Sequence, residues 1–163
     1  MKVSASLFLM LVVGLTACKK QSNEDLLVRN DPRRSAELRS NSEVHTIGNN
    51  RLELSTYLWR DFMPGTVGTD GSKLIGVIRL QDVQGVALSN SIKLRRLHVV
   101  KGNEIWTTGF SEVLSNDATI LEGVVRNGPY WGPNINVDVI CEFDYLGKPY
   151  FIQAKSQPIN RTD

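Results

Sequence analysis

The residues of this chain that could do chemistry are few and widely spaced. Cysteine occurs at Cys18 and Cys141, and histidine at His45 and His98. Nucleophilic catalysis needs a nucleophile, a base and a group that orients the base. Cys141 belongs to the alternating run Ile135, Val137, Val139, Cys141, Phe143, Tyr145. It is therefore expected to point inward, as a small buried hydrophobe. His98, between Leu97 and Val99, is expected on the face opposite those two, and His45 lies in a polar segment. One buried thiol and two scattered imidazoles make neither a catalytic constellation nor a zinc site. The chain reads as a non-enzyme with no cofactor and no metal.

Carboxylates come closer to a site. Asp138, Glu142 and Asp144 project from the outward face of one strand, and with Asp70 they could offer oxygens to Ca²⁺. A strand face rarely converges ligands that tightly, so the expectation is a solvated face. No acid and base couple for glycoside hydrolysis can be picked out, because that assignment needs a separation in space.

Aromatic side chains are the stronger candidates. In Arg126-Asn127-Gly128-Pro129-Tyr130-Trp131-Gly132-Pro133-Asn134, two Gly-Pro pairs bracket adjacent rings. The loop is thereby stiffened, and preorganised rings offer large contact area at small entropic cost. Trp131 either plugs the end of the domain or is presented with Tyr130 to a protein or a sugar. Tyr57 and Trp59 share the face opposite Leu54, Thr56 and Leu58. They form either a docking stripe or a face covered by another segment. The candidate contact surface is Tyr130, Trp131 and Trp59, with Tyr57 beside Trp59 and Arg126 as a polar neighbour.

The elements that must position these residues are strands. Leu52, Leu54, Thr56 and Leu58 alternate with polar neighbours, and Leu74 to Val83 follows the Asp70-Gly71 turn. Lys101-Gly102-Asn103 predicts a tight hairpin between 96–100 and 104–108. Ile120 to Val125, the run 135–145 and Tyr150 to Ser156 complete about seven strands. Turn signals at regular spacing predict an all-β, antiparallel, immunoglobulin-like β-sandwich over 50–163, with a small antiparallel barrel as the alternative. From Asn50 onward twelve Lys and Arg balance twelve Asp and Glu. Nucleic-acid binding is not expected on that balance, and Lys93, Arg95 and Arg96 read as a solvated strand start. Residues 18–49 are polar, with scattered apolar positions, and read as a tether; Asp31-Pro32 is a cap-plus-Pro signature for a short helix over 32–40.

The N-terminus carries the most specific motif. Lys2 precedes the apolar run Leu7–Leu15, which spans nine residues. That is too short for a transmembrane helix and suits a secretory signal. Leu15-Thr16-Ala17-Cys18 resembles the lipobox of bacterial lipoproteins. The resemblance implies a signal peptide over 1–17, lipidation (typically palmitate-type acyl chains) at Cys18 and membrane anchoring in the cell envelope. Lys19, where an Asp would favour inner-membrane retention, favours the outer membrane if the organism has one. Lipidation of Cys18 leaves Cys141 without a disulfide partner. The segments 57–64 and 127–133 resemble parts of small secreted bacterial domains. Taken together, the sequence predicts a lipid-anchored, non-catalytic interaction module for an envelope protein. A carbohydrate-binding module using the loop aromatics and a purely structural domain are the alternatives.

Overall fold

The computed structural model describes residues 28–65 and 68–163. The lipobox, Cys18 and the tether up to residue 27 lie outside the described residues. In chain order the elements are β1 (Val28–Asn30), α1 (Pro32–Arg39), β2 (Val44–Ile47), β3 (Asn50–Asp61), β4 (Ile75–Asp82) and β5 (Ile92–Lys101). They continue as β6 (Glu104–Thr108), β7 (Glu112–Asp117), β8 (Ile120–Val125), β9 (Asn136–Tyr145) and β10 (Lys148–Thr162). The fold is all-β apart from α1. All seven expected strands form, and β1, β2 and β7 are added to them.

One mixed sheet runs β1-β6-β5-β9-β10-β3-β4-β8-β7, with β2 on the other edge of β3. It curls on itself as an open half-barrel. Strand β10 makes this possible: Lys148 to Pro158 pair antiparallel with β9, and Ile159 to Thr162 pair parallel with β3. The register slips between Ala154 and Gln157, where Ser156 has φ 53°. A bulge of this kind bends a strand and sharpens its twist. One half of the sheet thereby folds over the other, with Leu58, Leu80, Val99, Trp106, Phe143 and Ile152 fully buried between them.

Residues 28–49, expected as tether, are packed onto this body. Strand β1 pairs with β6 and β2 pairs with β3. Helix α1 begins as its sequence predicts, with Asp31 Oδ1 accepting the Arg34 N–H at 2.9 Å and Pro32 in the first turn. Eight residues are too few for an isolated helix to persist in water. Leu38, 1% exposed, fixes α1 on the outer face of the sheet against Val100, Ile105 and Ile140. Burying that side chain contributes about 2 kcal/mol. Gln153 of β10 then donates from Nε2 to the carbonyls of Arg39 (3.0 Å) and Asn41, while its own backbone N–H donates to Ser42 O at 3.0 Å. These backbone acceptors leave no trace in composition, which is why the segment resembles a linker.

Asp82 closes the loop after β4. It accepts N–H groups from Arg51 (2.8 Å), Gln84 (2.8 Å) and Val86 (3.2 Å), and the Asn50 amide at 3.3 Å. Burial alone would raise its carboxyl pKa, but these donors outweigh it and hold the group below the usual carboxylate range. A carboxylate whose pKa is depressed on folding stabilises above its unfolded value, ~3.9, and loses that contribution as pH falls through the folded value. Asp82→Asn should therefore lower the urea midpoint at pH 7, with the gap to the parent protein narrowing below pH ~4. Paired urea titrations at both pH values check this, and an unchanged gap would exclude the carboxylate charge as the cause.

Candidate functional site

Loop 126–134 is built as a plug. Trp131 is 8% exposed and belongs to the main core, with Lys101 Nζ 4.9 Å from its ring centroid on the outer side. Gly128 comes so close to the core that an added Cβ would lie 2.8 Å from the Trp106 ring, and its N–H binds Leu74 O at 3.0 Å. Gly132 has φ 75°, and a Cβ there would lie 2.8 Å from Ile159. Both glycines are thus required by contact and, at Gly132, by backbone conformation. Of the two roles open to Trp131, the structure selects the plug. Trp131 is withdrawn from the candidate contact surface because its ring is already packed.

Tyr130 remains 51% exposed, and its neighbour in space is Arg60. Arg60 is not among the residues expected from sequence to form the contact surface. Its guanidinium is 5.1 Å from the Tyr130 ring centroid and 5.0 Å from that of Phe62. Arg60 is 4% exposed and has no carboxylate partner among the described residues. It donates instead to carbonyls: Nε to Ser72 (2.7 Å), Nη1 to Gly132 (2.6 Å) and Tyr130 (3.2 Å), and Nη2 to Asp70. Burial lowers its pKa, partly opposed by Tyr130 and Asp70. The signal was present in the sequence: Arg60 continues the inward register of Leu54, Thr56 and Leu58. A cation in a buried register must find acceptors, and here it ties the 70–72 and 130–132 loops to β3.

Tyr57 and Trp59 stand apart from that plug, on the convex face of the sheet. Tyr57 is 51% exposed and Trp59 is half-buried, their ring centroids 5.4 Å apart at 35°. Across the strands they pair with Val77 and Ile75 of β4. They line a groove of about 400 Å³ bounded by Ser55, Arg79 and Glu122. Arg79 Nε meets Glu122 Oε2 at 2.7 Å, and beyond that pair lie Leu114 and Ile120. Arg126 is exposed and 3.4 Å from Glu112, on the loop side of β8. The structure therefore keeps Tyr57 with Trp59 and Tyr130 with Arg60, and does not gather all five candidates into one surface.

The residues with other potential chemistry are separated. Cys141 is fully buried and burial pushes its thiol pKa well up, which suppresses the thiolate. Asp138 pairs with Arg39 at 2.6 Å, Asp144 with Arg95 at 2.8 Å, and Glu142 lies 3.7 Å from His98. The three carboxylates share a face, as expected, but each turns to a different base. Among the described residues no three His, Cys, Asp or Glu side chains gather where they could hold a metal. His45 packs against Tyr150, 5.3 Å between centroids. His98 occupies the face opposite Leu97 and Val99, where its ring lies 6.3 Å from that of Phe151.

No protein-family model, curated protein or solved structure matches the chain. The functional reading rests on its own geometry.

Arg60→Met keeps much of the side-chain volume but leaves four carbonyl acceptors without their donor. It should cost roughly 3 kcal/mol, and Trp131→Ala about 3–5 kcal/mol. Tyr130→Ala, at an exposed ring, should cost no more than about 1 kcal/mol. Urea unfolding of the three variants checks this order; a Trp131→Ala protein as stable as Tyr130→Ala would contradict the plug.

Proposed function

We propose that this chain is a non-catalytic interaction module of the bacterial cell envelope, lipidated at Cys18 and engaging an envelope protein. The contact surface is the Tyr57–Trp59 face of β3. The observation that carries the reading is the convex face of β3, β4, β8 and β7, which no other element covers among the described residues. Two aromatic rings, Ile75 and Val77 meet the Arg79–Glu122 pair there, with Leu114 38% exposed beyond it. Tyr, Trp and Arg around an apolar centre is the composition of energetic hot spots between proteins. The strip crosses several strands and is wider than a single sugar ring needs. Strand β7, the last in the sheet order, also leaves an edge for a partner to approach.

The immunoglobulin-like sandwich is kept here only as a likeness in hairpin order. It carries no function. The alternative of a carbohydrate module built on the loop aromatics is weakened by the burial of Trp131, which leaves Tyr130 as the exposed ring of that loop.

Cross-linking pull-down from intact cells should recover a discrete envelope protein with the parent chain and lose it with Tyr57→Ser/Trp59→Ser. Tyr130→Ser should leave capture unchanged. Equal capture by the double variant, with its fold intact by circular dichroism, would sink the docking face. A hit on a glycan array that depends on Trp59 would replace the protein partner with a sugar.

Anchoring is tested separately. Two or more acyl chains hold a protein stably on a bilayer, whereas one is marginal. Cys18→Ser should move the protein from the membrane pellet to the soluble fraction, and persistence in a carbonate-washed pellet would refute the lipid anchor.

A further inference from the structure

A second concavity lies on the opposite half of the sheet, under α1. It encloses about 370 Å³ between Arg29 of β1, Arg34 and Leu38 of α1, Arg96 and His98 of β5, and Thr107 of β6. That volume is at the small end of the ~300–1,000 Å³ usual for ligand pockets. Three guanidiniums face one cavity from three different elements. Arg34 is engaged by Glu37 at 2.6 Å. Arg29 and Arg96 have no ion pair among the described residues. The anionic group facing His98 is Glu142, so positive charge predominates around the cavity.

His98 is the side chain that distinguishes this pocket from a chance cluster of surface arginines. Its side chain is only 8% exposed. Nδ1 lies 2.8 Å from Thr107 Oγ1, while Nε2 is buried without a hydrogen-bond partner and 3.7 Å from Glu142 Oε2. A buried polar nitrogen left unpaired costs free energy that a ligand oxygen can recover. In the tautomer in which the Thr107 hydroxyl donates to Nδ1, the ring proton sits on Nε2 and makes that nitrogen a donor. Burial lowers the His98 pKa, with Arg34 and Arg96 acting in the same direction and Glu142 opposing them. Burial thus favours the neutral imidazole over the imidazolium.

We propose that this cleft binds a phosphate ester, held by Arg29, Arg34 and Arg96 with His98 Nε2 donating to one of its oxygens. Guanidinium forks match the oxygen spacing of phosphate and bind it bidentately, which a point-charged ammonium does not. Leu38 supplies an apolar wall for the carbon side of the ester. Arg96, which reads from sequence as part of a solvated strand start, becomes a ligand contact because β1 and α1 are brought beside it.

The ester has two possible sources, a phospholipid headgroup or a soluble phosphorylated molecule. Val28 opens the strand next to Arg29 and lies ten residues beyond Cys18. Ten residues reach at most ~35 Å, so a lipidated Cys18 would keep the cleft within range of headgroups. The cleft itself does not depend on that anchor, and its test is made on the unlipidated Cys18→Ser chain.

The probes are inorganic phosphate and glycerol 3-phosphate, read by the His98 ring nitrogens in ¹⁵N NMR, with sodium chloride at matched ionic strength as the screening control. Both phosphates should shift His98 Nε2 saturably, and Arg29→Gln/Arg96→Gln should weaken binding at least tenfold. These two residues are solvent-exposed, so the variant should keep the parent's circular dichroism and urea midpoint. A His98 shift that sodium chloride reproduces, or that the double variant retains in full, would overturn the proposal. Silence of Nε2 up to tens of millimolar phosphate would overturn it equally. Sedimentation with phosphatidylglycerol and phosphatidylcholine vesicles then identifies the source. Phosphatidylglycerol-selective binding competed by glycerol 3-phosphate assigns a lipid headgroup, and a saturable His98 shift without vesicle binding assigns a soluble ester.

Discussion

The path of β10 is the constraint on which the rest of the molecule depends. One strand pairs antiparallel with β9 at its beginning and parallel with β3 at its end, so both halves of the sheet share a single backbone. The bulge at Ser156 sets the angle between them, and the core fills the space that this angle encloses. Parallel pairing of the last strand with a strand about a hundred residues earlier is a non-local contact, with its loop entropy repaid only once the core forms. The side chains along the seam reinforce it. Asn160 Nδ2 donates to Leu58 O at 3.0 Å, and Thr56 Oγ1 donates to Gln157 Oε1 at 2.7 Å. These bonds satisfy polar groups at the place where a regular ladder is interrupted.

Much of the fold was legible because most of the seven expected strands announce themselves by alternation or by a hairpin turn. Cys141 and His98 went to opposite faces on that basis alone, and the Asp31-Pro32 helix start was readable from its capping chemistry. The three strands that were not anticipated are short or polar. In β1 and β2 the pairing is carried by backbone groups, and composition is blind to those. Residues 28–49 lacked the apolar content expected of a folding segment, yet two well-placed side chains, Leu38 and Ile47, are 1% and 5% exposed. The parallel closure was invisible for a different reason: period-two patterning assigns a face to each residue but says nothing about the direction of its neighbour.

The candidate site was less legible than the fold. Trp131 could be read either as a presented ring or as a plug, because a Gly-Pro frame stiffens a loop without saying where it points. Direction came from Gly128 and Gly132, whose missing side chains let the loop settle onto Trp106 and Ile159. Arg60 then fastened it from below. A guanidinium satisfied by four carbonyls keeps its charge without a buried carboxylate, and so avoids an ion pair whose desolvation can exceed its Coulombic gain. It also ties two stretches of irregular backbone, 70–72 and 130–132, to β3. Trp131 thus belongs to the stability of the fold, and the two proposed contact surfaces lie on the outer faces.

Those faces differ because, among the described residues, only one of them carries a helix. Over β6, β5 and β9, α1 covers Val100, Ile105 and Ile140 with Leu38, and what remains open beside it is charged. Over β3, β4 and β8 nothing corresponds to α1 among the described residues, and what remains open is aromatic and aliphatic around the Arg79–Glu122 pair. A sheet closed on one side by its own curl needs cover on the other only where its outer residues are apolar. The first half meets that condition within the chain. The second half does not, and Tyr57, Trp59 and Val77 keep an unpaired apolar surface that a second molecule could bury. The same asymmetry places the basic cleft beside the strand that follows the proposed anchor, and the aromatic face on the other half of the sheet. A module arranged this way can meet a headgroup on one side while leaving the other free for a protein.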